Sequence, residues 1–173
     1  EHPVTEMITG IDLVEWQLRI AAGEKLPLSQ NDVKQNGHAI ETRIYAENPE
    51  TGFLPSIGTL QRLAFPDTFQ KIQNTEDDAS QSCSSIRIDS GVEQGGEISI
   101  HYDPLIAKLV VHADSRKQAI RTMQTALAQS GVLGVETNLG FLQSILQHPY
   151  FDAGKMDTLF VDSNLESLLE ENQ

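Results

Sequence analysis

Cysteine is almost absent: Cys83 is the single one in 173 residues. No internal disulfide can form, and a lone thiol fits a reducing interior, either cytoplasm or, in a eukaryote, the mitochondrial matrix. Basic charge is scarce as well, with 12 Lys and Arg against 25 Asp and Glu, a formal net charge of −13. A surface of that sign repels phosphate backbones, so no nucleic-acid partner is expected. Long apolar runs are missing too. The longest, from Leu105 to Val111, is interrupted by Lys108 and is far too short for a transmembrane helix, so no membrane partner is expected. No charged stretch followed by an apolar run heads the chain, and no signal or transit peptide is expected.

The familiar catalytic signatures are also missing. The glycine-rich stretch "GVEQGG" matches neither GxGxxG nor GxxxxGK[ST], and reads as a hairpin loop rather than a phosphate cradle. His2, His38, His101, His112 and His148 show no HExxH or similar spacing, so no metal site is expected. There is no GxSxG elbow, and Cys83 lies in a polar stretch without a nearby histidine.

What is present is a globular composition, 39% hydrophobic with 6% aromatics. A chain of this length forms one domain, or one with a small appendage, and buries about 70% of the surface its unfolded form exposes. Ile11, Val14, Leu18 and Ala21, widened by Leu13 and Ile20, predict an amphipathic helix stopped by Gly23. Ser29 to Asp32 reads as a short capped turn. In "GHAIETRIYAENP" strict alternation predicts a strand with His38, Ile40, Thr42, Ile44 and Ala46 on one face and Ala39, Glu41, Arg43, Tyr45 and Glu47 on the other. "TLQRLAF" predicts a second strand, 67–85 an exposed loop, and "IRIDS" with "EISIHY" a hairpin. After an Asp103-Pro104 turn, "LIAKLVVHA" predicts a more buried strand. Helices follow: one capped by Ser115 with Ala119, Ile120, Met123 and Leu127 buried, one capped by Thr137 or Asn138, and a tail helix capped by Ser163. Helix, antiparallel strands and then helices predict an α+β fold, a small mainly antiparallel sheet flanked by helices.

Two features carry possible chemistry. Arg43 stands mid-strand on the charged face with Glu41 and Glu47. It is either one half of a surface salt bridge, worth about 0–1 kcal/mol, or a fixed guanidinium aimed at an anion that develops during a reaction. "HYDPLIAKLVV" feeds a turn into a buried strand, where Asp103 can cap its own turn and Lys108 can snorkel from a strand edge.

Taken together, "EHPVTEMITGIDLVEWQLRIAAGEKLPL", "GHAIETRIYAENP", "GFLPSIG", "HYDPLIAKLVVHADSRKQAI" and "GVETNLGFL" resemble the carboxyl-terminal part of biotin carboxylase, from Glu1 to about Phe160. Within that family, "VEWQLRIAAGEKLPLSQ" and "HPYFDAGKMDTLFV" are most similar to α subunits of 3-methylcrotonyl-CoA carboxylases; propionyl-CoA, acetyl-CoA and urea carboxylases share the framework. The resemblance implies the last third of an ATP-grasp enzyme: residues 1–160 as the carboxyl-terminal domain and 161–173 as a tail helix leading out of it. It implies a ligase that carboxylates biotin N1′ with bicarbonate and MgATP. Glu1 then resembles the base that deprotonates bicarbonate, and Arg43 the group that stabilises the biotin enolate, with Asp103 near biotin or Arg43. The partners implied are the ATP-grasp body of the same chain, a biotin carboxyl carrier domain, a carboxyltransferase subunit and a second copy in a homo-oligomer. Biotin, ATP and Mg are its cofactors, yet the ATP- and Mg-binding groups precede Glu1 in the family. Residues 1–173 alone are therefore expected to bind none of them tightly and to be inactive. The alternative is an interaction module that keeps the fold without the chemistry.

Overall fold

The computed structural model describes residues 1–67 and 84–170. Cys83, and all but the edges of the loop expected over 67–85, lie outside the described residues.

At the centre is an antiparallel sheet of three strands in the order β1–β8–β6, built from β1 (His38–Tyr45), β6 (Ser85–Ser90) and β8 (Leu105–Ala113). β8 takes the middle because it is apolar on both faces, with Ile106, Ala107, Leu109, Val110, Val111 and Ala113 all buried. Lys108 therefore lies in the central strand and not at an edge, its side chain 20% exposed. β1 alternates as its sequence predicts: Ile40, Thr42, Ile44 and Ala46 are buried, and Arg43 on the opposite face is exposed. The buried face is covered by α3 (Arg116–Ala128), whose Ala119, Ile120, Met123 and Leu127 are buried and whose first turn is capped by the Ser115 hydroxyl accepting from the Gln118 N–H. Full burial of a side chain such as Leu109 or Met123 contributes about 1.5–3 kcal/mol. Thr42, buried on this face, is satisfied by its hydroxyl donating to the Leu109 carbonyl at 3.4 Å.

The amino-terminal segment forms two helices. α1 (Pro3–Thr9) was not anticipated by apolar spacing; Pro3 pre-sets its first turn and Gly10, at φ +70°, ends it. α2 (Leu13–Ala21) is capped by the Asp12 carboxylate accepting from the Glu15 N–H. Its apolar stripe is present but not buried, with Val14 62% and Leu18 69% exposed. The helix period is local, whereas burial needs a facing element.

The expected hairpin of "IRIDS" with "EISIHY" does not form. β6 pairs with β8, and β7 (Glu97–Ile98) pairs with β4 (Gly58–Thr59). The glycine-rich turn explains the diversion: the Gly95 N–H donates to the Leu60 carbonyl and the Leu60 N–H donates to the Gly96 carbonyl. Leu60 is fully buried and breaks "TLQRLAF" in two, so that β5 (Arg62–Ala64) pairs instead with β9 (Gly131–Leu133). A further short pair joins β2 (Glu47–Asn48) to β3 (Leu54–Pro55).

Three helices close the chain: α4 (Leu139–Gln147), α5 (Pro149–Asp152) and α6 (Phe160–Glu170). α6 starts before Ser163, the cap expected from sequence, because Phe160 and Leu168 are buried with Phe141 of α4 in a second small core. Asp157, not Ser163, takes up a free N–H ahead of the helix, that of Leu159 at 2.9 Å. The architecture is α+β, as the sequence predicts.

Candidate active site

The sheet face opposite α3 is charged. In the register of β1, β8 and β6, Arg43 stands opposite Lys108 and Lys108 opposite Asp89, so three ionised side chains form a row across the sheet. Two residues along, on the same face, Glu41 stands opposite Val110 and Val110 opposite Arg87. A strand fixes its side chains more firmly than a loop, and here the two cations flanking the β1–β8 ladder share one aspect.

Arg43 is half exposed and donates from Nε to the Glu41 carboxylate at 3.1 Å. The Glu41 hydrogen bond above all, then the one with the Tyr45 side chain, raises the guanidinium pKa above its already high ordinary value. The group is thus a half-exposed permanent cation, able to meet an oxyanion without a proton leaving it. Behind Arg43 the β1 backbone is held by Asn138 at the start of α4. The Asn138 Oδ1 accepts from the Tyr45 N–H at 2.9 Å, and its Nδ2 donates to the Arg43 carbonyl at 3.0 Å.

A second charged group occupies the β6 side. Arg87 donates from Nε and Nη2 to both oxygens of Asp89, at 2.8 and 2.9 Å, and from Nη1 to Glu6 of α1 at 2.6 Å. Lys108 lies 3.6 Å from Asp89. Burial alone would raise the Asp89 pKa, but the hydrogen bonds and charge of Arg87, with Lys108 behind them, outweigh it and hold the carboxyl below its ordinary value. Glu6 also accepts from the Leu13 N–H at 2.9 Å, tying α1 both to β6 and to the first turn of α2. This network was not read from sequence. The i, i+2 alternation of Arg87 and Asp89 is the signal the sequence carries, but it does not say which strand lies alongside.

The sites named from sequence are therefore spread unevenly. Glu1 is exposed just ahead of α1, and α1 packs against β1 and β8, so its segment reaches the sheet that carries Arg43. Among the described residues Glu1 takes part in no ion pair. Asp103 accepts from the Leu105 N–H at 2.8 Å, closing its own turn. Its charge, after burial, is the second cause that raises the Glu47 pKa, which places Asp103 beside Glu47. Glu47 belongs to β2, and the carboxylate paired with Arg43 is Glu41. A separate cavity, lined in part by Asn48, Glu50, Glu136, Thr137 and Phe141, includes none of Glu1, Arg43 or Asp103.

The donor set fits some groups and not others. Arg43 suits a small anionic oxygen. Among the described residues no three His, Cys, Asp or Glu side chains converge as metal ligands, and the sequence holds no phosphate-binding glycine loop.

Comparison with known proteins bears on this arrangement. Residues 41–163 match the biotin carboxylase C-terminal domain, and residues 1–29 match the ATP-binding domain of the carbamoyl-phosphate synthase L chain. The α subunit of mouse mitochondrial methylcrotonoyl-CoA carboxylase is 48% identical over 169 residues, 98% of this chain and 22% of that subunit. The propionyl-CoA carboxylase α chain of Ruegeria pomeroyi is 48% identical over 166 residues, 93% of this chain and 24% of that one. Among solved structures, the biotin carboxylase domain of Hydrogenobacter thermophilus 2-oxoglutarate carboxylase, a dimer with MgADP and bicarbonate, superposes with a TM-score of 0.85 at 42% identity, over 97% of this chain and 34% of that one. The chain thus spans about a fifth of the length of the curated relatives it matches.

Proposed function

This chain belongs to the biotin carboxylase C-terminal domain family, and from that premise we propose that it supplies the part of a biotin carboxylase that presents Arg43 to biotin. The observation that carries the proposal is Arg43 itself, a half-exposed permanent cation on a strand whose backbone is held from both sides. Biotin enters as the substrate, delivered on a carrier domain. As its N1′ proton leaves, negative charge builds on the ureido oxygen. Arg43 lowers the energy of that charge, because a preoriented guanidinium needs no reorganisation when the charge appears.

Glu1 is the base that takes the proton from bicarbonate, at the end of a segment continuous with an ATP-binding domain such as the one residues 1–29 match. MgATP supplies the phosphoryl group that activates bicarbonate, and the groups that hold it lie outside the residues described here. Asp103 lies near biotin in this reading, and its charge, after burial, raises the Glu47 pKa. Residues 1–173 alone neither bind MgATP tightly nor turn over.

The final acceptor is 3-methylcrotonyl-CoA in our reading, supported by the run of methylcrotonoyl-CoA carboxylase α subunits at 44–48% identity. A carboxyltransferase component makes that choice in the whole assembly, which works as a homo-oligomer in the cytoplasm or mitochondrial matrix. The test is Arg43→Ala in the complete enzyme. Biotin carboxylation should fall by about 10²–10³, the scale of losing one oxyanion-directed donor, while MgATP still binds. Unchanged carboxylation would return Arg43 to a surface pair with Glu41.

A further inference from the structure

Asn138 occupies the position where sequence places a helix cap, yet its side chain makes no capping hydrogen bond to α4. It is buried, 7% exposed, and turned toward β1. Besides the two side-chain bonds to Tyr45 N–H and the Arg43 carbonyl, the Asn138 backbone N–H donates to the Tyr45 carbonyl at 3.3 Å. Together these imitate a neighbouring strand at the free edge of β1, the outer strand of the sheet. They do so where the β1–β8 register slips between Ile44 and Tyr45. A bulge on an edge strand is where backbone direction is least fixed by the ladder, and it re-aims the side chains beside it.

We propose that Asn138 is a positioning residue for Arg43: its amide locks the peptide groups on either side of the register slip and so sets where the guanidinium points. The proposal rests on the reading of Arg43 as the group that meets biotin. The chemistry requires a primary amide. The Tyr45 N–H needs an acceptor and the Arg43 carbonyl needs a donor, and Asn offers both on one short planar group. An ionised Asp keeps the acceptor and loses the donor, and Ala loses both. Leaving either backbone group unpaired in a buried setting frees this stretch of β1 to shift.

The test uses the complete enzyme with Arg43→Ala, Asn138→Ala, Asn138→Asp and the double variant Arg43→Ala/Asn138→Ala. Two rates are measured: biotin carboxylation, and bicarbonate-dependent ATP cleavage without biotin. Asn138→Ala should lower the first about 10–100-fold, the cost of misplacing a reacting group by about 1 Å, and leave the second intact. In the Arg43→Ala background it should add nothing further. Asn138→Asp should recover relative to wild type as pH falls, because a protonated carboxyl again donates to the Arg43 carbonyl. A role in folding alone would instead lower biotin carboxylation and ATP cleavage together. If Asn138→Ala does not accumulate as folded protein, Asn138→Asp decides by itself, and a ratio to wild type that is flat with pH overturns the proposal. It is likewise overturned by unchanged carboxylation, by equal loss of ATP cleavage, or by losses that multiply with Arg43→Ala. Loss in Asn138→Ala without loss in Arg43→Ala would instead overturn the reading of Arg43.

Discussion

Removing the Glu6 carboxylate should release the helical segment that leads into the sheet. Glu6 is 13% exposed and makes two bonds of different worth: Oε2 to Arg87 at 2.6 Å and Oε1 to the Leu13 N–H at 2.9 Å. Arg87 is 38% exposed and keeps both Asp89 oxygens when Glu6 is gone, so that ion pair is discounted for solvent to about 0.5–1 kcal/mol. The Leu13 N–H is one of the unpaired donors of the first turn of α2, and losing a side-chain acceptor there costs about 1 kcal/mol. The sum for Glu6→Ala is about 1.5–2 kcal/mol, or about 10–30-fold faster amide exchange through local opening. Glu6→Gln keeps an acceptor for Leu13 and loses only the charge, so its effect should be about a third to a half as large in free energy. Hydrogen exchange of peptides spanning Pro3–Ala21 reads both, in any length of chain. Unaltered exchange in Glu6→Ala would refute the reasoning. Equal effects in the two variants would show that the Leu13 bond contributes nothing.

The His38 pKa is lowered, by burial first and then by the Arg116 guanidinium, whose Nη1 lies 3.2 Å from Nε2. A histidine depressed in the folded state stabilises above its unfolded pKa of about 6.5 and loses that contribution as pH falls toward the folded pKa. Unfolding free energy should therefore drop as pH is lowered from about 7 to 5, and His38→Gln should flatten that slope; an identical slope in the variant would sink the idea. At Gly134, just past β9, φ is +109° and a Cβ would run into the carbonyl oxygen of Thr59 in β4. Gly134→Ala should cost more than about 2 kcal/mol from backbone strain and overlap together, and an unchanged urea midpoint would contradict it.

Much of the frame was legible because its signals are local. β1 alternates with a period of 2, and Ile40, Thr42, Ile44 and Ala46 of the face its pattern names are buried, while His38 at its start is only half-buried and Ala39 of the other face is buried too. α3 carries its cap at Ser115 and its buried stripe where helical spacing puts them. Arg43 was found by the same alternation, as the arginine on the polar side of a strand. The misreadings share a cause: each concerned which element faces which. "IRIDS" and "EISIHY" have the alternation of a hairpin and lie close in sequence, yet their backbone groups pair with β8 and β4. The stripe of α2 has the period of a buried helix and no residue buried. Asn138 has the residue type of a cap and donates instead to a strand more than 90 residues away.

By itself the sequence determined where strands and helices lie along much of the chain, because dihedral preference and apolar period act over a few residues. It also determined the charge state of Arg43, which no environment in this chain could remove. Only the tertiary structure decided that Lys108 and Asp89 stand in line with Arg43, that Arg87 and Glu6 fasten the amino-terminal helices to that face, and that Asn138 grips β1 behind it. Register, pairing partners and side-chain amide bonds depend on groups far apart in sequence. Their energies exist only once the sheet has closed.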